Sequence, residues 1–159
     1  MSKSTRATKA LEAAGVAFDV RVYDYDPNAD SIGLQAAAAL GEPPDRVLKT
    51  LMTKVDGKPV CVIAPSDREV SLKKLAAAVS GKSAEMMKPA DAERLTGYKV
   101  GGISPFGQMR AVTTVVEAGA LAHDRVYVNG GQRGLQIRLS PQDLQAAAKA
   151  TAASIVAQD

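Results

Sequence analysis

Residues 46–64 read RVLKTLMTKVDGKPVCVIA, and this stretch decides the fold class. Arg46–Val55 has the aliphatic and β-branched content of a strand, Asp56-Gly57 is a two-residue hairpin signal, and Lys58–Ala64 reads as the antiparallel partner. On the N-terminal side, Thr5–Ala14 reads as a helix ended by Gly15. Val16–Tyr25 then alternates as a half-buried strand. Phe18, Val20 and Val22 share its apolar face, and Asp19, Arg21, Tyr23 and Tyr25 its polar one. Asp26-Pro27-Asn28 is a turn, and Ser31–Leu40 an Ala-rich helix closed by Gly41. On the C-terminal side, helices are expected from Ser71 to Val79 and from Pro89 to Leu95. Strands are expected at Val112–Val116, Arg125–Asn129 and Leu135–Leu139, and Ser140-Pro141 opens a last helix to Ala148. Hairpins and helices are interspersed without repeat or linker. The expectation is therefore one α+β (mixed α/β) domain over residues 1–159. Its twisted sheet, of about six or seven strands, would mix parallel and antiparallel pairs and close like a barrel, with helices packed around it.

Composition excludes much of the familiar catalytic repertoire. Of 159 residues, 28 are Ala, 4% are aromatic, and there is no Trp. One cysteine, Cys61, forms no internal disulfide, and with one histidine, His123, it makes no usual zinc set. No metal and no cofactor are expected. The N-terminus lacks the apolar run of a signal peptide, and no segment approaches the roughly 18–20 apolar residues of a membrane span. A cytoplasmic protein without a membrane partner is the expectation. A formal charge of +3 is compatible with a nucleic-acid partner and equally with plain solubility.

A few residues stand out chemically. Lys49 lies mid-strand, sharing a face with Val47, Leu51 and Thr53. It is either a buried ammonium that anchors or stabilises a ligand, or a lysine whose stem snorkels to solvent. Gly101–Gly107 is a glycine loop able to aim backbone N–H groups at a developing oxyanion or a phosphate, or else a tight turn. Asn129–Gly134 carries more glycine than one hairpin requires. Tyr23, Tyr25 and Asp26 sit at a strand end, as pocket-mouth groups or surface aromatics. His123-Asp124 lies in a loop, and adjacent residues do not face each other usefully; Cys61 reads as a small core residue. Lys99, Arg110 and Arg133 flank the glycine loops, where clustered cations would bind phosphate.

An ordered motif set spans nearly the whole chain: Tyr23–Pro27 (YDYDP), Val47–Leu51 (VLKTL), Ser71–Lys74 (SLKK), Thr96–Gly107 (TGYKVGGISPFG) and Tyr127–Leu135 (YVNGGQRGL). In this order it resembles the YbaK/EbsC family, which edits mischarged tRNA. The resemblance implies a twisted mixed sheet closed like a barrel, and cleavage of the ester joining a wrong amino acid to tRNA. It implies Cys-tRNA(Pro) as the substrate, attacked by its own thiol; relatives acting on other small residues use a positioned water. It makes Lys49, Gly101 and Gly102 the catalytic set, with Tyr23, Thr50, Ile103, Ser104, Pro105, Asn129, Gly130 and Gly131 binding substrate. Lys99, Arg110 and Arg133 would bind tRNA, and prolyl-tRNA synthetase would be a transient partner. The chain departs from the family in having Asn129 for a serine, Tyr25 where histidine is common, and a thinned basic run at Gly107–Arg110. Two alternatives stand: a deacylase for another small amino acid, or a non-catalytic module binding tRNA or a synthetase. The intact Lys49 and glycine loop favour an enzyme over the second.

Overall fold

The structure, a computed structural model, describes residues 4–28 and 31–158. The elements run α1 (Arg6–Ala13), β1 (Asp19–Val22), α2 (Ile32–Leu40), β2 (Leu48–Val55), β3 (Lys58–Pro65), α3 (Leu72–Ala78), β4 (Ala84–Met86), α4 (Pro89–Thr96), β5 (Thr113–Glu117), β6 (Val126–Asn129), β7 (Leu135–Leu139), α5 (Pro141–Ala148) and β8 (Thr151–Ala153).

The β2–β3 hairpin is the spine. Val55 pairs with Lys58, and Asp56 and Gly57 both take positive φ, 51° and 80°. That is the turn whose twist matches the flanking strands. Helix starts follow local chemistry: the side chains of Thr5, Ser31, Ser71 and Ser140 each accept a backbone N–H of the first turn. Gly41 and Gly97, in the left-handed region, end α2 and α4.

The strands form two sheets, in the orders β1-β7-β6 and β4-β2-β3-β5-β8. The larger sheet is mixed, since β5 runs parallel to both β3 and β8. The crossover from β3 to β5 passes through α3, β4 and α4, as the intervening helices lead one to expect. The fold class is therefore as expected, but no sheet closes like a barrel. Closure requires edge strands to pair, and the edges β4 and β8 are only three residues long. Among the described residues, the seam between the sheets is crossed by a single parallel bridge, Val47 to Tyr127.

The main core joins α1, α5 and the small sheet through Leu11, Leu135, Ile137, Leu139 and Leu144. A second core packs Leu75 of α3 and Ile155 of the C-terminal tail on Val62 and Val115. The N-terminal strand is shorter than its alternation suggests. Pairing with β7 ends at Val22–Leu135, and Tyr23 N–H then donates to Gly134 O at 2.9 Å. This change of direction inverts the faces. Val22 is exposed, while Tyr23 is buried against Ala36, Ala37, Val47 and Tyr127 rather than lying on a polar face.

Candidate active site

A cavity of about 310 Å³ opens where the two sheets meet. Its walls come from the start of α2 (Ile32, Gly33), from β2 (Leu48–Met52), from Met86, Met87, Pro89 and Ala92, from the Val100–Ile103 loop, and from Asn129 and Gln136. Most of this lining is apolar, and among the described residues Lys49 is the one ionisable residue in it.

Lys49 sits near the start of β2, in register with Ala64 of β3. It is half-buried, and its Nζ donates to the carbonyl of Arg68 at 2.6 Å. Burial pushes its pKa below the ordinary lysine value, and the carboxylates of Glu69 and Asp67 pull it part of the way back. An ammonium has three donors, so two remain beyond the Arg68 bond.

Opposite stands the glycine loop. Gly101, at φ +93°, is the third residue of a turn closed by Gly102 N–H donating to Lys99 O at 2.8 Å. The Gly101 N–H has no protein acceptor among the described residues. Asn129 ties the two glycine loops together: its Nδ2 donates to Gly101 O at 3.0 Å, and its Oδ1 accepts Gly131 N–H at 2.7 Å. The Arg133 guanidinium lies 5.7 Å from the centroid of the Tyr25 ring, and its Nε donates to Val100 O at 2.9 Å. Among the described residues, two buried polar atoms of the cavity wall lack a hydrogen-bond partner, Thr50 Oγ1 and Gln136 Oε1. Native structures leave few such atoms unpaired, so these are places where a ligand would bond. Burial raises the Tyr23 phenol pKa, the neighbouring Tyr25 adds to the rise, and Gln136 opposes it.

Residues 26–147 match the aminoacyl-tRNA editing domain. The chain belongs to the aminoacyl-tRNA editing domain family. EbsC of Enterococcus faecalis, a candidate Cys-tRNA(Pro)/Cys-tRNA(Cys) deacylase, is 34% identical over 143 residues, covering 88% of this chain and 85% of EbsC. The proline–tRNA ligase of Nitratidesulfovibrio vulgaris (strain Hildenborough) is 33% identical over 99 residues, which is 62% of this chain and 17% of that enzyme. The chain thus matches one segment of a much longer ligase. A solved candidate trans-editing enzyme for prolyl tRNA synthetase superposes with a TM-score of 0.84 at 23% identity, covering 99% of this chain and 100% of its own. At that identity the likeness speaks to the fold.

Within this editing domain the expected site residues divide. Lys49, Thr50, Gly101, Ile103 and Asn129 meet in the cavity wall. Gly102 does not act as a free donor, because its N–H closes the turn; a Cβ there would lie 2.9 Å from Arg133 N and 3.0 Å from Gln132 C. Its role is to let the two glycine loops touch. Ser104 is fully buried, its hydroxyl accepting Phe106 N–H at 3.2 Å, and Pro105 lines a different recess beside α1 and α5. Gly130 and Gly131 also lie off the cavity. A Cβ on Gly130 would strike Leu135, and Gly131 packs on the Tyr98 ring. Tyr23 stands behind the wall rather than in it. Lys99 and Arg133 are exposed on the two glycine loops, whereas Arg110 lines a separate recess with Asp91, Arg94 and Met109.

Gln136 is the wall residue that sequence reading missed. It sits in β7 between buried Leu135 and Ile137 and is only 2% exposed. A buried glutamine inside an apolar strand was the available signal. His123 is half-buried, 3.7 Å from Asp45, and Cys61 is core, its thiol pushed up to about 12 by burial. No helix among the described residues is long and apolar enough to cross a membrane.

Proposed function

We propose that this editing domain is a trans-acting deacylase that cleaves the ester of mischarged aminoacyl-tRNA, with Cys-tRNA(Pro) as its substrate. The observation that carries the reading is the meeting of Lys49 and Gly101 in the wall of one mostly apolar cavity. Ester cleavage passes through a tetrahedral oxyanion. A preorganised ammonium and a free backbone N–H stabilise such charge best where water is excluded.

Among the described residues, the wall holds no carboxylate, histidine or thiol to act as base or nucleophile. This favours a substrate that brings its own nucleophile. In that route the substrate cysteine sulfur, as thiolate, bonds to its own carbonyl carbon. The carbon–oxygen bond to the ribose breaks, and the released ribose oxygen takes a proton. The unpartnered Gln136 Oε1 and Thr50 Oγ1 are acceptors for the substrate ammonium or ribose hydroxyls. Gly101, Ile103 and Asn129 shape the pocket, and Lys99 and Arg133 meet the phosphates of the acceptor end. Because the chain resembles part of proline–tRNA ligases, prolyl-tRNA synthetase is the partner that would present the tRNA.

The test is incubation of purified protein with Cys-tRNA(Pro), Ser-tRNA(Pro) and Ala-tRNA(Pro), following ester loss. The thiol route predicts loss of the Cys ester with the Ser ester spared. Loss of the Ala ester points to a positioned water and another small amino acid. Binding of tRNA with every ester intact identifies a non-catalytic module, and an undiminished rate in Lys49→Ala refutes the assigned centre.

A further inference from the structure

The C-terminal tail lies beyond the matched family region, which stops at residue 147, and no described tail residue lines the cavity. It is nevertheless firmly held. After β8, Ile155 is fully buried beside Leu75, Val62 and Val115. The buried Glu117 carboxylate accepts the N–H groups of Ile155 at 2.8 Å and Val156 at 3.3 Å through one oxygen, and Gly119 N–H at 2.7 Å through the other. A buried carboxylate with this many backbone donors is a fixed anchor for the chain that passes over it.

From that anchor the tail clasps the segment between β3 and α3. Val156 bridges Val70 in antiparallel fashion. Ser71 N–H donates to Ile155 O at 2.8 Å, and Ala157 N–H to Glu69 O at 2.7 Å. Arg68 Nη2 donates to Ala157 O at 2.8 Å, and Lys74 Nζ to Val156 O at 3.0 Å. The clasped segment is the one that meets Lys49. Arg68 supplies the carbonyl that accepts the ammonium, and the flanking residues Asp67 and Glu69 carry the carboxylates that act on it.

We propose that the C-terminal tail is a positioning element for Lys49: by clasping Arg68 and Glu69 it fixes the carbonyl that orients the ammonium in the cavity. The tail itself touches no reacting atom. The proposal rests on the reading that Lys49 acts in this cavity. Without the clasp, the 67–69 segment moves and the ammonium loses its acceptor and the two carboxylates that favour its charge. The charged form is then disfavoured further.

The experiment uses the full-length chain carrying Arg68→Met with Ala157→Pro, which together remove a side-chain and a backbone donor from the clasp. Arg68→Met alone serves if the pair does not fold. The Lys49 side chain is titrated by carbon-detected NMR, assigned against Lys49→Met, and deacylation of Cys-tRNA(Pro) is measured from pH 7 to 9. We expect Lys49 to titrate at lower pH, kcat to fall about tenfold with KM within twofold, and the alkaline limb of the rate to move down. Arg68→Lys, which keeps a donor, should restore most of kcat. A Lys49 titration unchanged in a folded variant overturns the proposal. The titration needs no substrate. Failure of the deacylase reading would therefore leave the shift in place, whereas failure of the clasp removes it whatever the activity.

Discussion

Replacing Asn129 with alanine tests whether the two glycine loops are held as one unit. Asn129 is 8% exposed and makes two hydrogen bonds, to Gly101 O at 3.0 Å and from Gly131 N–H at 2.7 Å. A net intramolecular hydrogen bond contributes about 1 kcal/mol, and a partner left dry costs roughly 1–3 kcal/mol. Gly101 and Gly131 are half-buried, so water reaches their orphaned groups in part and the low end applies. The expected loss is about 2 kcal/mol, which in a chain of this size lowers Tm by roughly 4–8 °C. Thermal unfolding monitored by circular dichroism reads that loss. Deacylation of Cys-tRNA(Pro) reads the second consequence, a drop in kcat as the Gly101 turn loosens. Asn129→Asp separates the two bonds. It keeps the acceptor for Gly131 but sets a carboxylate against the Gly101 carbonyl, so kcat should fall further for a given loss of stability. Asn129→Ser restores the family's residue but is too short to serve both glycines, and it should fall between wild type and alanine. An alanine variant within about 0.5 kcal/mol of wild type, with unchanged kcat, would refute the bridge.

Lys49→Met should lower kcat by about 10²–10³, the size of a lost oxyanion donor. In the wild type, enzyme-dependent cleavage should fail on the alkaline side before an ordinary lysine titrates, since burial depresses this one; a rate flat past that point opposes the assignment. Gly102→Ala should destabilise by about 1–3 kcal/mol in urea unfolding, because its Cβ meets the Gln132–Arg133 backbone, and it should cut activity along with stability. Tyr98→Phe strips a buried donor from Phe106 O, a 2.5 Å bond, and should cost about 1–3 kcal/mol with the cavity wall otherwise intact. Cys61 should resist a thiol-reactive dye at pH 8 in the native state and react fully in denaturant; a fast native reaction would contradict its burial.

Most elements were legible because local chemistry determined them. Asp56-Gly57 allows one turn, the capping serines mark helix starts, and a lysine inside VLKTL is conspicuous among apolar neighbours. What was not legible depends on distant partners. The three-residue strands β4 and β8 carry no periodic signal, and their shortness is also why the sheets stay open. Glycine type says only that a Cβ is unwelcome. Gly101 needs a positive φ, Gly102 a close neighbour and Gly130 room for Leu135, and only the packed loops separate these reasons. Tyr23 defied its alternation because pairing with β7 ends one residue earlier. Gln136 looked like an ordinary strand position until Asn129 and Lys49 were seen across the same cavity.

The energetics of Lys49 bear on how the proposed reaction could proceed with so little catalytic equipment. Its folded pKa is depressed by burial, with Glu69 and Asp67 only partly opposing. A lysine so placed costs stability in full at pH below its folded pKa, and the cost is relieved as pH rises through that value toward the unfolded one. In its charged form this lysine puts an ammonium in an apolar wall where methionine would sit more comfortably. One protein acceptor, the Arg68 carbonyl, does not account for three donors. Among the described residues, the cavity wall offers no carboxylate for the two that remain. On the proposed deacylase reading, an arrangement that is unfavourable when empty becomes favourable once negative charge develops on a bound ester, because the same apolar surroundings that raise the cost strengthen the attraction. The strain on Lys49 and its usefulness thus have one cause, and no further ionisable group is needed in the wall if the substrate supplies the nucleophile.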